Sequence, residues 1–120
     1  MIVDDHAPAR AMIRRFLSVS SVTFCECASG EEAVQRAPEF KPDWVTMDLH
    51  MPGINGFDAT EALRAIHPPA RVLIVTSDPL PEHYERSREV GAETLLPKDD
   101  LVVLRLMLMH QMFGGKFFSA

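Results

Sequence analysis

The stretch WVTMDLHMPGING, residues 44–56, sets the architecture. Trp44, Val45 and Met47 read as a strand entering a core, yet the run stops on a carboxylate, Asp48. A turn signal, Met51-Pro52-Gly53, follows almost at once. Asn55-Gly56 then opens FDATEALRAI, in which Phe57, Ala59, Ala62, Leu63 and Ile66 make one apolar stripe that His67-Pro68-Pro69 ends. A buried strand thus delivers an acid to the place where the chain turns.

Outward from this stretch, short apolar runs alternate with helix-period segments. MIV reads as a first strand ending in Asp4-Asp5. PARAMIRRFLSV follows as a helix, with Met12, Ile13, Phe16 and Leu17 on one face and Pro8 in its first turn. VTFCECA, residues 22–28, reads as the second strand. Ser29 and Glu32 make a capping box for the helix GEEAVQRA. RVLIVTS is a fourth strand, apolar throughout as a strand covered on both faces should be. PEHYERSREV is a polar helix capped by Gly91, TLLP a short fifth strand, and Asp99 or Asp100 opens a last helix running to about Met112. The order βαβαβαβαβα predicts an α/β domain, a doubly wound parallel sheet with helices on both faces.

The 120 residues suffice for one domain with a real core. A net charge of −5 argues against direct nucleic-acid binding, which needs clustered Lys and Arg. No apolar run reaches membrane-spanning length and no signal-peptide layout opens the chain, so a cytoplasmic protein is expected. The only cysteines, Cys25 and Cys27, would point the same way from one strand. They read as core residues, not as a disulfide or metal site.

In a parallel sheet, ligands gather outside the carboxyl ends of the strands. Those ends carry Asp4-Asp5, Asp48 and Thr76-Ser77, and Lys98 follows the fifth strand. Taken singly, each has an ordinary explanation: Asp as a turn former or helix cap, Thr as a strand residue, Lys as a solvated charge. Taken together they are a site. Two carboxylates 4 Å apart repel by roughly 4 kcal/mol at an effective dielectric near 20, so three on one edge hold protons or a cation. An oxygen-rich, partly open site suits Mg²⁺, with phosphate as a further ligand. Asp48 is then placed as a nucleophile toward a phosphoryl group, Thr76 as a hydrogen-bond donor to it and Lys98 as its counter-charge.

The segments IVDDH, PDWVTMDLHMPGINGFD, VLIVTS and GAETLLPK resemble the receiver domain of two-component response regulators over nearly the whole chain. That resemblance implies a flavodoxin-like fold with strand order 2-1-3-4-5. It implies that Asp48 accepts phosphate from a histidine kinase. It further implies Mg²⁺ held by Asp4, Asp5, Asp48 and the His50 backbone carbonyl, with Thr76 and Lys98 contacting the phosphoryl group. His50 and Asp78, each two residues past a site residue, would flank that group. The receiver would span 1–113, with 114–120 a tail similar to the start of a linker to a helix-turn-helix output domain.

Three positions depart from the family pattern. Leu95 stands where an aromatic usually swings inward. Pro97 precedes Lys98 and Asp99 follows it, where proline commonly comes after the lysine. The first strand has three residues before Asp4, fewer than usual. The last helix, LVVLRLMLMHQMF, is apolar nearly all round, which predicts cover by a second copy of the chain, a following domain or the short tail; a homodimer through this helix is the expectation taken forward. Among rival readings, a flavin or nucleotide binder would want a Gly-rich loop where DDHAPA presents two carboxylates. An aspartyl phosphatase would want a second acid where His50 stands. A degenerate receiver that binds partners without phosphate is opposed by the intact acids, Thr76 and Lys98.

Overall fold

The computed structural model describes residues 1–18 and 21–112, with side chains through His110. Five strands alternate with five helices: β1 Ile2–Val3, α1 Ala7–Leu17, β2 Glu26–Cys27, α2 Gly30–Phe40, β3 Trp44–Asp48, α3 Gly56–Ile66, β4 Arg71–Thr76, α4 Pro81–Glu89, β5 Thr94–Pro97 and α5 Leu101–Met112. The strands form one sheet in the order β2-β1-β3-β4-β5, every pairing parallel. The chain first winds outward from β1 to β2, then crosses back over β1 to β3. The switch point therefore falls between β1 and β3, where Asp4 and Asp48 end their strands.

Alternation along the strands divides the core in two. Ile2 and Leu73 face α1 and α5, packing with Ile13, Leu17, Leu104 and Leu108. Val3, Val45, Met47, Val72 and Ile74 face the other way, against Ala33 and Ala37 of α2 and Ala59 and Leu63 of α3. Small residues let α2 and α3 approach closely: a Cβ on Gly30 would lie 2.8 Å from that of Ala59. Cys25 and Cys27 are free and buried, and burial pushes the Cys27 thiol up to about 12, which leaves it inert at neutral pH.

The helix signals work locally as their residues require. Ser29 Oγ accepts from Glu32 N (3.1 Å), while Glu32 Oε1 reaches back to Ala28 N (2.6 Å). Asn55 Oδ1 accepts from Asp58 N (3.0 Å), which fixes where α3 starts. The N-cap of α1 is His6, so the exposed Asp5 is not engaged in capping that helix. α2 runs past its expected end to Phe40, carrying Pro38 within it, and stops where Lys41 turns left-handed.

One expected strand is much shorter than its sequence. Residues 22–28 read as β2, yet only Glu26 and Cys27 join the sheet. The reason lies in the neighbour: β1 offers two partners, Ile2 to Glu26 and Val3 to Cys27, and the ladder is no longer than that. A cavity of ≈ 500 Å³ opens at the amino ends of the strands, between Met1, Phe24, Trp44, Leu73 and Leu104. It lies at the edge opposite the acids. β1, short as it is, pairs on both sides, with β2 and with β3. The tail, residues 114–120, lies outside the described residues.

Candidate phosphoryl-transfer and metal site

Asp4, Asp48 and Thr76 close β1, β3 and β4 and are all buried, with exposures of 1%, 6% and 0%. Asp48 pairs with Val75 in the ladder, so Thr76 stands one step further along the neighbouring strand. Lys98 comes next after β5. Pro97 has no N–H for the sheet, but the Lys98 N–H donates to the Thr76 carbonyl (2.8 Å) and carries the ladder one residue further. Its side chain then crosses β4. The ammonium sits 2.9 Å from Asp4 Oδ2 and 3.1 Å from Asp48 Oδ1, bridging the two strands at the switch point.

The charges in this cleft are out of balance. Asp4 Oδ1 accepts from His6 N (2.9 Å), while the buried Oδ2 faces the Lys98 ammonium as its cationic partner. Burial raises the pKa of Asp48 above the usual carboxylate range, and the neighbouring Asp4 adds to the shift; Lys98 opposes both without cancelling them. Burial works against the Lys98 ammonium, but the pull of Asp4 and Asp48 outweighs it and raises that pKa. Asp5, exposed beside them, brings the acids to three against one lysine.

Those three carboxylates can share a cation. Asp4, Asp5 and Asp48 each offer an oxygen within 4.8 Å of the others. All are hard donors, one is solvent-accessible, and the environment of Asp48 already disfavours its charge. This donor set fits Mg²⁺, which binds one or two carboxylates and keeps several waters.

A direct consequence concerns stability. Asp48→Asn keeps the shape and removes both the burial cost of the charge and the repulsion from Asp4, so in metal-free buffer at pH 7 it will stabilise the fold. Because the folded pKa of Asp48 is raised, the native state holds that proton more tightly than the unfolded chain does. Wild-type stability therefore falls as pH rises from 3.8 through the folded value, and the Asn variant lacks that fall. Urea midpoints of both proteins across this range check the sign; parallel profiles would refute it.

The other expected residues are placed as follows. His50 is exposed, two residues past Asp48, and its Nε2 lies 3.2 Å from Asp78 Oδ2. Asp78 N–H donates to Thr76 Oγ1 (3.0 Å), tying that hydroxyl into its own loop. Leu95 is buried in β5, packed in the core with Ile74 and Val90. His83, from the first turn of α4, joins His50 and Asp78; sequence reading gave no signal for it, since only the path of the β4–α4 loop brings it there. In α5, Leu101, Leu104 and Leu108 are buried, whereas Val102, Val103 and Leu106 are exposed.

The chain is similar to known proteins over nearly its whole length. The family model "Response regulator receiver domain" matches residues 1–108. The response regulator GacA of Pseudomonas viridiflava is 35% identical over 121 residues, covering 97% of this chain and 55% of that protein. Chemotaxis protein CheY of Thermotoga maritima is 37% identical over 78 residues, 64% of this chain and 65% of that one. Among solved structures, a LuxR-family two-component response regulator from Aurantimonas superposes with a TM-score of 0.85 at 32% identity, over 95% of this chain and 84% of that one. The receiver domain of NarL from Mycobacterium tuberculosis gives 0.83 at 28%, over 94% of each. The chain spans about half the length of the GacA relatives it matches. It belongs to the receiver-domain family of two-component response regulators.

Proposed function

We propose that this receiver is a phosphorylation switch in which Asp48 takes a phosphoryl group from the phosphohistidine of a partner histidine kinase. The observation that carries the reading is the Lys98 ammonium held between Asp4 and Asp48 at the switch point. An Asp48 oxygen attacks phosphorus, the N–P bond breaks, and the imidazole nitrogen keeps its electron pair. The return half-cycle is attack by water on the same phosphorus: the bond from the Asp48 oxygen to phosphorus breaks, the carboxylate is restored and inorganic phosphate leaves. Asp4, Asp5, Asp48 and the His50 backbone carbonyl would hold Mg²⁺, which supplies charge neutralisation for the incoming phosphate when bound.

The protein's own groups do the rest. Lys98 stays near the acid that gains the phosphoryl oxygens and pairs with one of them. Thr76 releases its loop contact with Asp78 and donates its hydroxyl to another. That movement pulls the β4–α4 loop inward, and α4 can follow because it buries only Ser87. Leu95 cannot swing as an aromatic would, so the readout of the switch passes through α4 and its loop.

The proposed receiver covers residues 1–113, and the tail 114–120 would lead to a helix-turn-helix output domain in a longer cytoplasmic regulator. Among the described residues, no helix is long and apolar enough to cross a membrane. Exposed Val102, Val103 and Leu106 of α5 support a homodimer through that helix, favoured by phosphorylation.

Incubation with acetyl phosphate and Mg²⁺ tests both parts in one sample. Intact mass will rise by one hydroxylamine-labile phosphoryl group, and neither the metal-free control nor Asp48→Asn will show it. Sedimentation of the same sample will show dimer. No mass gain removes the switch and leaves the phosphate-independent module; monomer in both states removes the α5 dimer.

A further inference from the structure

The loops around the acid site assemble a second donor set, made of side chains that neither bond the phosphoryl group nor hold Mg²⁺ in the proposed transfer. His50 Nε2 lies 3.2 Å from Asp78 Oδ2, and the His83 ring stands 5.7 Å from that of His50, nearly edge-on. One donor atom from each of the three lies within 4.8 Å of the others. His50 comes from the β3–α3 loop, Asp78 from the β4–α4 loop and His83 from the first turn of α4.

Two of the three are held from behind. His83 Nδ1 contacts the Asp78 carbonyl oxygen at 2.7 Å. A carbonyl only accepts, so Nδ1 carries the proton and Nε2 keeps its lone pair. Metal-binding histidines are oriented in this manner, with the second nitrogen anchored to a carbonyl or carboxylate. The same carbonyl also takes the Leu80 N–H (2.9 Å), and the Asp78 N–H is anchored on Thr76 Oγ1 (3.0 Å). Phe57 packs against the His83 ring at 5.9 Å. The exposed His50 side chain is the one left to adjust.

We propose that His50, Asp78 and His83 bind a divalent ion of the zinc class. Two imidazoles and one carboxylate are the donors such ions favour, whereas the all-oxygen acid triad suits Mg²⁺. A tetrahedral ion about 2.1 Å from its ligands sets them roughly 3.4 Å apart. The His50–Asp78 pair already has that spacing, and rotation of His50 closes the remaining edges. A water completes the shell. The ion ties the loop after Asp48 to the loop after Thr76 and to the start of α4, so it restrains the segment that must move in the switch. A simple His50–Asp78 ion pair would account for two of the three groups, while the Asp78 carbonyl and Phe57 hold the His83 ring beside them.

Calorimetric titration of the full chain with Zn²⁺, in a large excess of Mg²⁺ to occupy the acids, tests the site. One ion per chain is expected, and Co²⁺ in its place will show the visible absorption of a four- or five-coordinate nitrogen–oxygen site. His50→Gln, Asp78→Asn and His83→Gln will each weaken Zn²⁺ binding by at least about tenfold with unaltered urea midpoints. Absence of binding under excess Mg²⁺ would overturn the proposal. So would unchanged affinity in the three variants, or a loss confined to one of them.

Discussion

Lys98→Met will lower unfolding free energy by roughly 2–3 kcal/mol in metal-free buffer at pH 7, the largest stability loss expected of any side chain in the cleft. The ammonium lies 2.9 Å from one buried carboxylate and 3.1 Å from another, and Met fills its volume without its charge. Removing one member of a fully buried pair costs about 3–5 kcal/mol; Lys98 is 28% exposed, so water screens part of the loss. The pKa of Lys98 is raised above 10.5, so its contribution is complete through neutral pH and disappears only as pH rises through that higher value. Mg²⁺ separates this account from ordinary loss of packing. A cation shared by Asp4, Asp5 and Asp48 replaces the missing charge, so the deficit will shrink as Mg²⁺ is added. Denaturation midpoints with EDTA and with Mg²⁺ make the comparison, and an equal deficit in both would show that the charge balance has been misread.

Gly56→Ala will cost about 2–3 kcal/mol, near the upper range for overpacking, although the change adds a single methyl group. A Cβ at Gly56 would overlap the Asp48 carbonyl oxygen and lie 2.9 Å from Leu49 Cα, both backbone atoms that no rotamer change can move aside. The first turn of α3 is also fastened to this place: Gly56 N donates to the Leu49 carbonyl (2.9 Å) and Thr60 Oγ1 to the Gly56 carbonyl (2.7 Å). Relief therefore requires either α3 or the end of β3 to shift, and the end of β3 carries Asp48. The variant will unfold at lower urea and also take up phosphoryl groups more slowly than its folded fraction accounts for. An unchanged urea midpoint would mean the helix and strand meet less tightly than this structure shows.

The residues at the strand ends were readable because two periodicities intersect there. A continuous apolar run that stops on Asp48, and another that stops on Thr76, fix both the strand and the edge to which each polar group is delivered. The capping residues Ser29 and Asn55 were readable for a similar reason, since a side chain that closes its own helix carries its signal within four positions. What the sequence hid depends on neighbours. The length of β2 is set by the two residues β1 offers it, a property of β1 rather than of residues 22–28. The grouping of His50, Asp78 and His83 depends on how two loops and a helix start converge, and no spacing along the chain announces it. Leu95, by contrast, was legible as a departure from the family pattern, but its packing with Ile74 and Val90 depends on the neighbouring strand and helix.

The proposed switch requires that one particular carboxylate, Asp48, receive the phosphoryl group. Borohydride reduction of the phosphorylated protein converts an aspartyl phosphate to homoserine and marks its position permanently for peptide mass mapping. After treatment with acetyl phosphate and Mg²⁺, homoserine at position 48 alone is the predicted result. Homoserine at Asp4, Asp5 or Asp78 in place of Asp48, or none at any position, would mean that Asp48 is not the phosphoacceptor.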